Sequence, residues 1–123
     1  MSDEKRDYRP VPHIEDQQRF VLLISSDPED RYNAVLDLAM RGQDLDEILF
    51  WIGHLLNDPD PKPRYGAMFS CRHLFARWQG EGVSAVGILT VLEKAAKKAS
   101  DEHERQTARD TIDNVTHLSQ LSE

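Results

Sequence analysis

The sequence predicts an all-α protein built from about three antiparallel helical hairpins, and three features predict it. An eight-residue phrase, D-P-x-x-R-Y-x-A, occurs twice, beginning at Asp27 and at Asp60, with an offset of 33 residues. In each copy an aspartate and a proline open a segment whose apolar residues recur at helical spacing. A weaker third echo begins at Arg105, 41 residues after the second arginine. A period near 33 residues is typical of arrays whose repeating unit is a helical pair.

Caps and glycines bound the first three helices. The first is predicted over residues 14–25, with apolar side chains at Ile14, Phe20, Val21, Leu23 and Ile24. Asp27 should cap the second helix, with Pro28 at its first position, where the missing N–H has no intrahelical partner to lose. Gly42 should end that helix, and Asp44 should open the third. The third helix has a wide apolar face, formed by Leu45, Ile48, Leu49, Ile52, Leu55 and Leu56.

Capping residues, proline and glycines predict three more helices in the same way. Asp60 and Pro61 should start the fourth, Gly80 and Gly82 should stop it, and its buried side should consist of Ala67, Met68, Cys71, Leu74, Phe75 and Trp78. The fifth is predicted over residues 83–99, with its buried face at Val86, Leu89, Leu92 and Ala96. Ser100 should cap the sixth, which has one narrow apolar line at Ala108, Ile112, Val115 and Leu118.

These hairpins should stack, because a two-helix unit cannot bury its own apolar stripe without a neighbour. We therefore expect one helical domain over residues 14–120. Helices three and four carry apolar residues nearly all round, with Phe50, Trp51 and Phe69 added to their faces, so the middle hairpin should be sandwiched. Residues 1–13 mix acids, bases and two prolines, which predicts a flexible N-terminal arm.

The turn between helices three and four resembles the junction inside a HEAT repeat. It reads L-L-x-D-P-D-P-x-x-R-x-x-A, from Leu55 to Ala67. The resemblance implies a short right-handed HEAT-like α-solenoid, and a non-enzymatic adaptor or accessory subunit that binds another protein. In that family the turn aspartate and the following arginine link neighbouring repeats in a polar ladder. The resemblance therefore implies structural roles for Asp27 or Asp60 and for Arg31 or Arg64.

Composition excludes several other classes of protein. The chain has 123 residues, one cysteine and a net charge of −7. The single thiol cannot form an intramolecular disulfide, and the longest runs of large apolar residues, 20–24 and 48–52, are too short to cross a bilayer. We expect a cytoplasmic protein without membrane association, with little affinity for nucleic acid. The histidines lack metal-ligand spacing and no catalytic motif is present, so we expect no metal, cofactor or enzymatic activity.

The uneven distribution of charge suggests where a partner would bind. Residues 61–100 contain 2 acidic and 7 basic residues, whereas the segments on either side are acidic. The inner wall of the array should carry the partner-binding residues Lys62, Arg64, Phe69, Arg72, His73 and Arg77. Such a basic groove would suit an acidic peptide or helix of a partner protein. Alternatively, Phe69 packs within the stack and the basic residues only solvate it.

Two further alternatives stay open at the level of sequence. A small HEAT-like enzyme or nucleic-acid-processing protein, similar to a DNA glycosylase, would use the basic 61–100 segment with Trp51 and Trp78. A deep pocket in which a carboxylate meets either tryptophan would favour that function, and a shallow open groove would disfavour it. The sequence also leaves open homodimerisation through an uncovered face of a terminal hairpin. Tetratricopeptide repeats have a similar period, but their small-residue pattern is not reproduced.

Overall fold

A computed structural model of the protein describes residues 15–78 and 85–121, and in these ranges it contains six α-helices and no β-strand. The helices are α1 (Asp16–Leu23), α2 (Pro28–Arg41), α3 (Leu45–Leu55), α4 (Pro61–Trp78), α5 (Ala85–Lys98) and α6 (Glu102–Leu121). The all-α prediction is confirmed. The predicted arm at residues 1–13, and the positions of Ile14, Gly80, Gly82 and Val83, lie outside the described residues.

Aspartate caps start three of the helices as predicted. Asp27 Oδ1 accepts a hydrogen bond from the Glu29 amide at 3.0 Å, and Asp60 Oδ1 accepts one from the Lys62 amide at 2.9 Å. Asp44 Oδ1 accepts from the two amides of the first turn of α3 at 3.1 and 3.3 Å. Each bond satisfies an amide that has no partner inside its own helix.

The predicted cap of α6 is wrong by one residue. Asp101, not Ser100, accepts the capping bond, from the Glu104 amide at 2.8 Å. The Ser100 hydroxyl instead donates to the Glu104 carboxylate at 2.9 Å. Aspartate and serine are both good capping residues, so the sequence alone did not separate two adjacent candidates.

The even-numbered helices form the centre of the fold. α4 packs against α2 and against α6, and its contact with α2 is the most extensive between any two described helices. Each odd-numbered helix packs against the even-numbered helix that follows it. Five of the six residues predicted to be buried in α4 are buried: Ala67, Met68, Cys71, Leu74 and Phe75. The sixth, Trp78, is half-buried and packs at the edge of this core.

The apolar faces of the odd-numbered helices are less covered than the sequence predicts. Of the apolar residues in α1, only Leu23 is fully buried, while Phe20 and Val21, and Ile24 just after the helix, are exposed. The pair expected to be sandwiched, α3 and α4, has neighbours on both sides, with α2 in contact with both helices and α6 in contact with α4. The apolar face of α3 is only partly covered by α4 and α2, and Leu49 and Phe50 stay exposed.

In α5 the predicted face is rotated. Val86 was expected inside but is 74% exposed, and Ile88 is buried in its place. Leu92 and Ala96 are buried as expected, and Leu89 is half-buried against the core. α5 packs mainly against α6, and the side of α5 that is buried as a result carries Ile88, Leu92 and Ala95.

Gly66 allows α2 and α4 to approach closely. A Cβ atom added at this position would lie 2.9 Å from Tyr32 Cδ1, 3.1 Å from Val35 Cγ1 and 3.2 Å from the Tyr32 carbonyl oxygen. One turn further along α4, the Ser70 hydroxyl donates to the Val35 carbonyl at 3.2 Å across the same contact. The backbone oxygen cannot yield unless the whole of α2 moves.

We therefore expect Gly66→Ala to lower the free energy of unfolding by about 1–3 kcal/mol, because the two helices must separate. The matched control is Gly53→Ala in α3, where an added Cβ meets nothing within 4 Å. That change should stabilise the protein by about 0.5–1 kcal/mol, since alanine favours a helix more than glycine does. Urea unfolding of both variants measures the difference; shifts of the same sign would contradict the close approach.

Two arginines at equivalent positions of the repeated phrase join successive helical pairs. Arg31 donates from Nε and Nη2 to the Asp58 carboxylate, both at 2.9 Å, and from Nη1 to the Ser25 carbonyl at 2.6 Å. Arg64 donates from Nε and Nη2 to the Glu104 carboxylate at 2.7 and 2.9 Å, and from Nη1 to the Asp58 carbonyl at 2.7 Å. Each guanidinium thus binds one carboxylate on a later segment and one carbonyl six residues before it.

The acceptors differ from those that the resemblance implies. Asp27 and Asp60 cap their own helices, while Asp58 and Glu104 receive the arginines. The Arg64 hydrogen bonds lower the pKa of Glu104 below its ordinary value, against burial, which would raise it. For Asp58, burial alone would raise the pKa, but the Arg31 hydrogen bonds, the Asp60 amide and two nearby guanidinium charges lower it overall. Both carboxylates are therefore held in the charged state.

Candidate protein-binding site

The outward stripe of α4 carries aromatic and basic side chains. Lys62, Tyr65, Phe69 and Arg72 follow one another at intervals of three and four residues, so they share one side of the helix. Lys62 is exposed and the other three are partly exposed, whereas the residues that face α2 and α3 are buried. This stripe therefore lies open along the central helix of the fold.

Rings from three helices continue this stripe into a surface. The Tyr65 ring stacks near that of Phe69, with 6.4 Å between centroids, and meets the His103 ring of α6 at 5.5 Å. On the other side, the Lys62 ammonium lies 4.4 Å from the centre of the Tyr32 ring of α2. We call this surface the aromatic face and define it as Tyr32, Lys62, Tyr65, Phe69, Arg72 and His103.

Two of the six predicted partner-binding residues are used inside the fold. Arg64 is bound by Glu104 and by the Asp58 carbonyl, as described above. Arg77 donates to the carbonyls of Ala39 and Gly42, the latter just beyond the last residue of α2. Carbonyls at a helix end have no intrahelical donor, so this arginine acts as a C-terminal cap for α2 from a neighbouring helix. Because both guanidinium groups form hydrogen bonds within the fold, neither is available to form the predicted basic groove.

The remaining predicted residues make the site less basic than the sequence suggests. The Lys62 ammonium lies 3.4 Å from the Glu29 carboxylate, in a pair exposed to solvent on both sides. Burial, together with the nearby Arg72 charge, lowers the pKa of His73, so its imidazole is neutral at pH 7. Phe69 is partly exposed rather than fully packed in the core. Arg72 is left as the principal cation of the face.

Sequence reasoning missed the tyrosines of this site, although a signal for them was present. Tyr32 and Tyr65 occupy the same place in the two copies of the repeated phrase, so the equivalent helices α2 and α4 present them on the same face. Burial raises the pKa of Tyr65, and repulsion by Asp101 and Glu104 adds to the effect, so its phenol stays protonated. His103 was not predicted either, because its position depends on how α6 packs against α4.

Two cavities among the described residues lie away from this surface. One of about 360 Å³ lies between α5 and α6 and is lined by Glu93, Ala96, Lys97, Arg109, Ile112 and Asp113. Another of about 180 Å³ is lined by Leu56, Asn57, Val91, Lys94, Ala95 and Lys98. Neither contains a tryptophan, so neither is the pocket that would favour a glycosylase-like function. Trp51 contacts Phe50 and His54, and the Trp78 ring lies 5.0 Å from the Arg77 guanidinium.

The part of the chain that the structure describes also offers few reactive groups. Burial raises the pKa of the Cys71 thiol to about 12, so the sulfur is protonated and weakly nucleophilic at neutral pH. Within residues 15–78 and 85–121, no three histidine, cysteine, aspartate or glutamate side chains are placed to hold a metal ion. The same ranges include no helix with the length and hydrophobicity needed to span a bilayer.

A comparison of folds finds a close structural likeness. The chain superposes on one chain of the crystal structure of a CDI complex from Cupriavidus taiwanensis LMG 19424, with a TM-score of 0.73. The match covers 90% of this chain and 96% of the other, at 18% sequence identity. At that identity the likeness establishes a shared fold. No protein-family model matches the sequence, and no curated protein sequence does.

Proposed function

We propose that this protein is a non-enzymatic binding protein that captures one partner protein through the aromatic face. The observation that carries the proposal is the fold likeness over nearly the whole of both chains, since the similar chain occurs in a complex. CDI denotes contact-dependent inhibition, in which a toxin is paired with an immunity protein. By analogy, this chain would be one member of a stable two-protein complex.

The architecture that we propose for it is a short right-handed α-solenoid of three hairpins, similar to HEAT repeats. The order of helix contacts supports this, because each odd helix packs on the next even helix and the even helices pack in series. The equivalent roles of Arg31 and Arg64 also support it. Such arrays present an extended open surface instead of an enclosed pocket, which suits recognition of another protein.

The composition of the aromatic face favours a protein partner. Tyrosine and arginine are enriched among the residues that dominate binding energies, and aromatic rings provide contact area at a low cost in conformational entropy. Here Tyr65 is already held between Phe69 and His103, so little ordering would be required on binding. Arg72 would pair with a carboxylate of the partner. This keeps part of the prediction from sequence, namely that the partner segment is acidic.

The test is capture of the partner from a lysate of the source organism by the tagged full-length protein. We expect Phe69→Ala and Arg72→Glu each to weaken capture by about 30-fold or more, the loss typical of interface hot spots. Lys94→Glu is the matched control: it makes the same change of charge at an exposed position of α5 and should leave capture unchanged. Thermal unfolding must show that all three variants fold.

Equal capture by wild type and by both aromatic-face variants would reject this surface as the binding site. Equal loss in the Lys94→Glu control would show that capture follows net charge instead of a specific contact. The double change of Arg72 and Arg77 is a poorer test, because Arg77 holds the end of α2 and its replacement would disturb the fold.

A further inference from the structure

A second exposed aromatic surface lies on α3. It consists of Asp46, Leu49, Phe50, Trp51 and His54, and we call it the α3 surface. Phe50 is 62% exposed and Leu49 is 40% exposed, so two adjacent large apolar side chains of α3 face solvent. A single exposed apolar residue needs no explanation, but adjacent ones together with rings form a patch of the kind that marks an interaction site.

The three rings of the α3 surface hold one another in place. Phe50 meets Trp51 edge to face at 5.3 Å and stacks on His54 at 5.9 Å, while Trp51 and His54 meet edge to face at 5.5 Å. Because every ring contacts the other two, each ring restricts the orientations of its neighbours before any partner arrives. A preorganised aromatic cluster loses little side-chain entropy on binding, which favours its use as an anchor.

The charge around this surface indicates the chemistry of its partner. Residues 15–57 contain nine acidic residues and three arginines. All three arginines form internal ion pairs: Arg19 and Arg41 with Asp37, and Arg31 with Asp58. The three arginines of residues 15–57 are therefore neutralised by ion pairs, and the net charge that this segment exposes to solvent is negative.

The local register places a carboxylate beside the rings. Asp46 is exposed and precedes Phe50 by four residues, and His54 follows Phe50 by four, so the three share one stripe of α3. A partner that covers Phe50 would thus bring its own side chains close to Asp46. A cation at that point would be attracted, and a carboxylate would be repelled.

We propose that the α3 surface docks a basic amphipathic helix of another protein, with apolar side chains on Phe50 and Trp51 and a lysine or arginine opposite Asp46. This goes beyond the proposed function, since it concerns a different face and a partner segment of opposite charge. A second copy of this chain is disfavoured as the occupant, because the net charge of −7 would bring two acidic surfaces together.

The experiment titrates the full-length protein with two synthetic helical peptides of about 18 residues, long enough to cover a helix of this length. Both carry the same leucine stripe, and one has lysines where the other has glutamates. We expect the lysine peptide to bind at least about tenfold more tightly than the glutamate peptide, and Phe50→Ala to weaken its binding by about tenfold. Val86→Ala removes an apolar side chain from α5 that is even more exposed than Phe50, and should leave binding unchanged.

Several outcomes would overturn the proposal. These are equal binding of the two peptides, unchanged binding to Phe50→Ala, and an equal loss in Val86→Ala. Sedimentation that shows a dimer of the free protein which Phe50→Ala dissociates would also overturn it, by assigning the surface to a second copy. Phe50→Ala should still capture the partner of the aromatic face, so failure here is distinguishable from failure of the proposed function.

Discussion

Replacing Arg64 with methionine is expected to lower the free energy of unfolding by about 3–5 kcal/mol, the cost of leaving one member of a buried ion pair without its partner. Glu104 is only 2% exposed and receives two hydrogen bonds from this guanidinium. Methionine keeps much of the apolar stem of arginine, so the loss reports mainly the charge and its hydrogen bonds. Only the Ser100 hydroxyl and amide, at 2.9 and 3.4 Å, would remain as recorded donors to the Glu104 carboxylate.

The matched control is Arg105→Met, which removes a surface ion pair within α6, the helix that carries Glu104. Arg105 donates to the Glu102 carboxylate, which is largely exposed. Exposed ion pairs contribute about 0–1 kcal/mol to the free energy of unfolding, because water screens the charges and the long side chains lose entropy when they pair. Guanidinium chloride unfolding of the three proteins gives the comparison, and similar losses in both variants would mean that the Arg64 pair is no more than a surface contact.

The pH dependence of Arg64→Met provides an independent check. In the wild type the pKa of Glu104 is below its ordinary value of 4.5, so the ionised carboxylate stabilises the fold above pH 4.5. That contribution is lost as the pH falls from 4.5 towards the lower folded pKa. In the variant, the pKa of Glu104 is higher than in the wild type, because the guanidinium no longer lowers it, and protonation relieves the unpaired charge. The stability difference between the two proteins should therefore narrow as the pH falls through the pKa of Glu104 in the variant and on towards its lower pKa in the wild type; a constant difference over that range would contradict this account of Glu104.

Asp37→Ala is the other change from which we expect a loss of about 3–5 kcal/mol. The Asp37 side chain is fully buried in α2, where it accepts a hydrogen bond from Arg19 Nε at 2.9 Å and another from Arg41. Arg19 is itself buried and belongs to α1, whose only fully buried apolar side chain is Leu23. With so little apolar contact, the short α1 helix depends on this ion pair for its attachment to α2.

Hydrogen exchange locates the effect. In Asp37→Ala the amides of α1 should exchange faster than those of α4 and α6, because α1 detaches before the core opens. Arg41→Ala is the control, since Arg41 is partly exposed and its removal leaves the contact of Asp37 with Arg19 in place; it should cost about 1 kcal/mol. Uniform acceleration across all helices would show instead that Asp37 supports the whole core.

Local chemistry explains which parts of the fold could be predicted. Capping aspartates followed by proline define the starts of α2 and α4, because the cap is a contact between neighbouring residues. The buried face of α4 could also be predicted, since a central helix buries most of its apolar residues. The buried faces of α1, α3 and α5 could not be predicted. Each of these helices has apolar residues on more sides than its neighbouring helices cover. Phe50 and Val86 are the clearest cases.

The same distinction applies to the candidate site. Phe69 and Arg72 could be found from the register of a single helix. That Arg64 and Arg77 are used internally depends on carboxylates and carbonyls 35 to 40 residues away in sequence, which no local pattern identifies. The role of His103 likewise depends on the packing of α6 against α4. Basic composition therefore overstated the positive charge of α4 that is free of internal contacts, whereas the repeated tyrosines could have been used to predict the aromatic face.

Site-specific photo-crosslinking tests the central claim, capture of a partner protein by the aromatic face, most directly. The photoreactive residue p-benzoylphenylalanine would replace Phe69 in one sample and Val86, which is 74% exposed on α5, in another. The complex would be formed in cells of the source organism and irradiated there. We predict a single covalent adduct with the captured partner from position 69 and none from position 86. An adduct from position 86 alone, or equal adducts from both, would contradict the account.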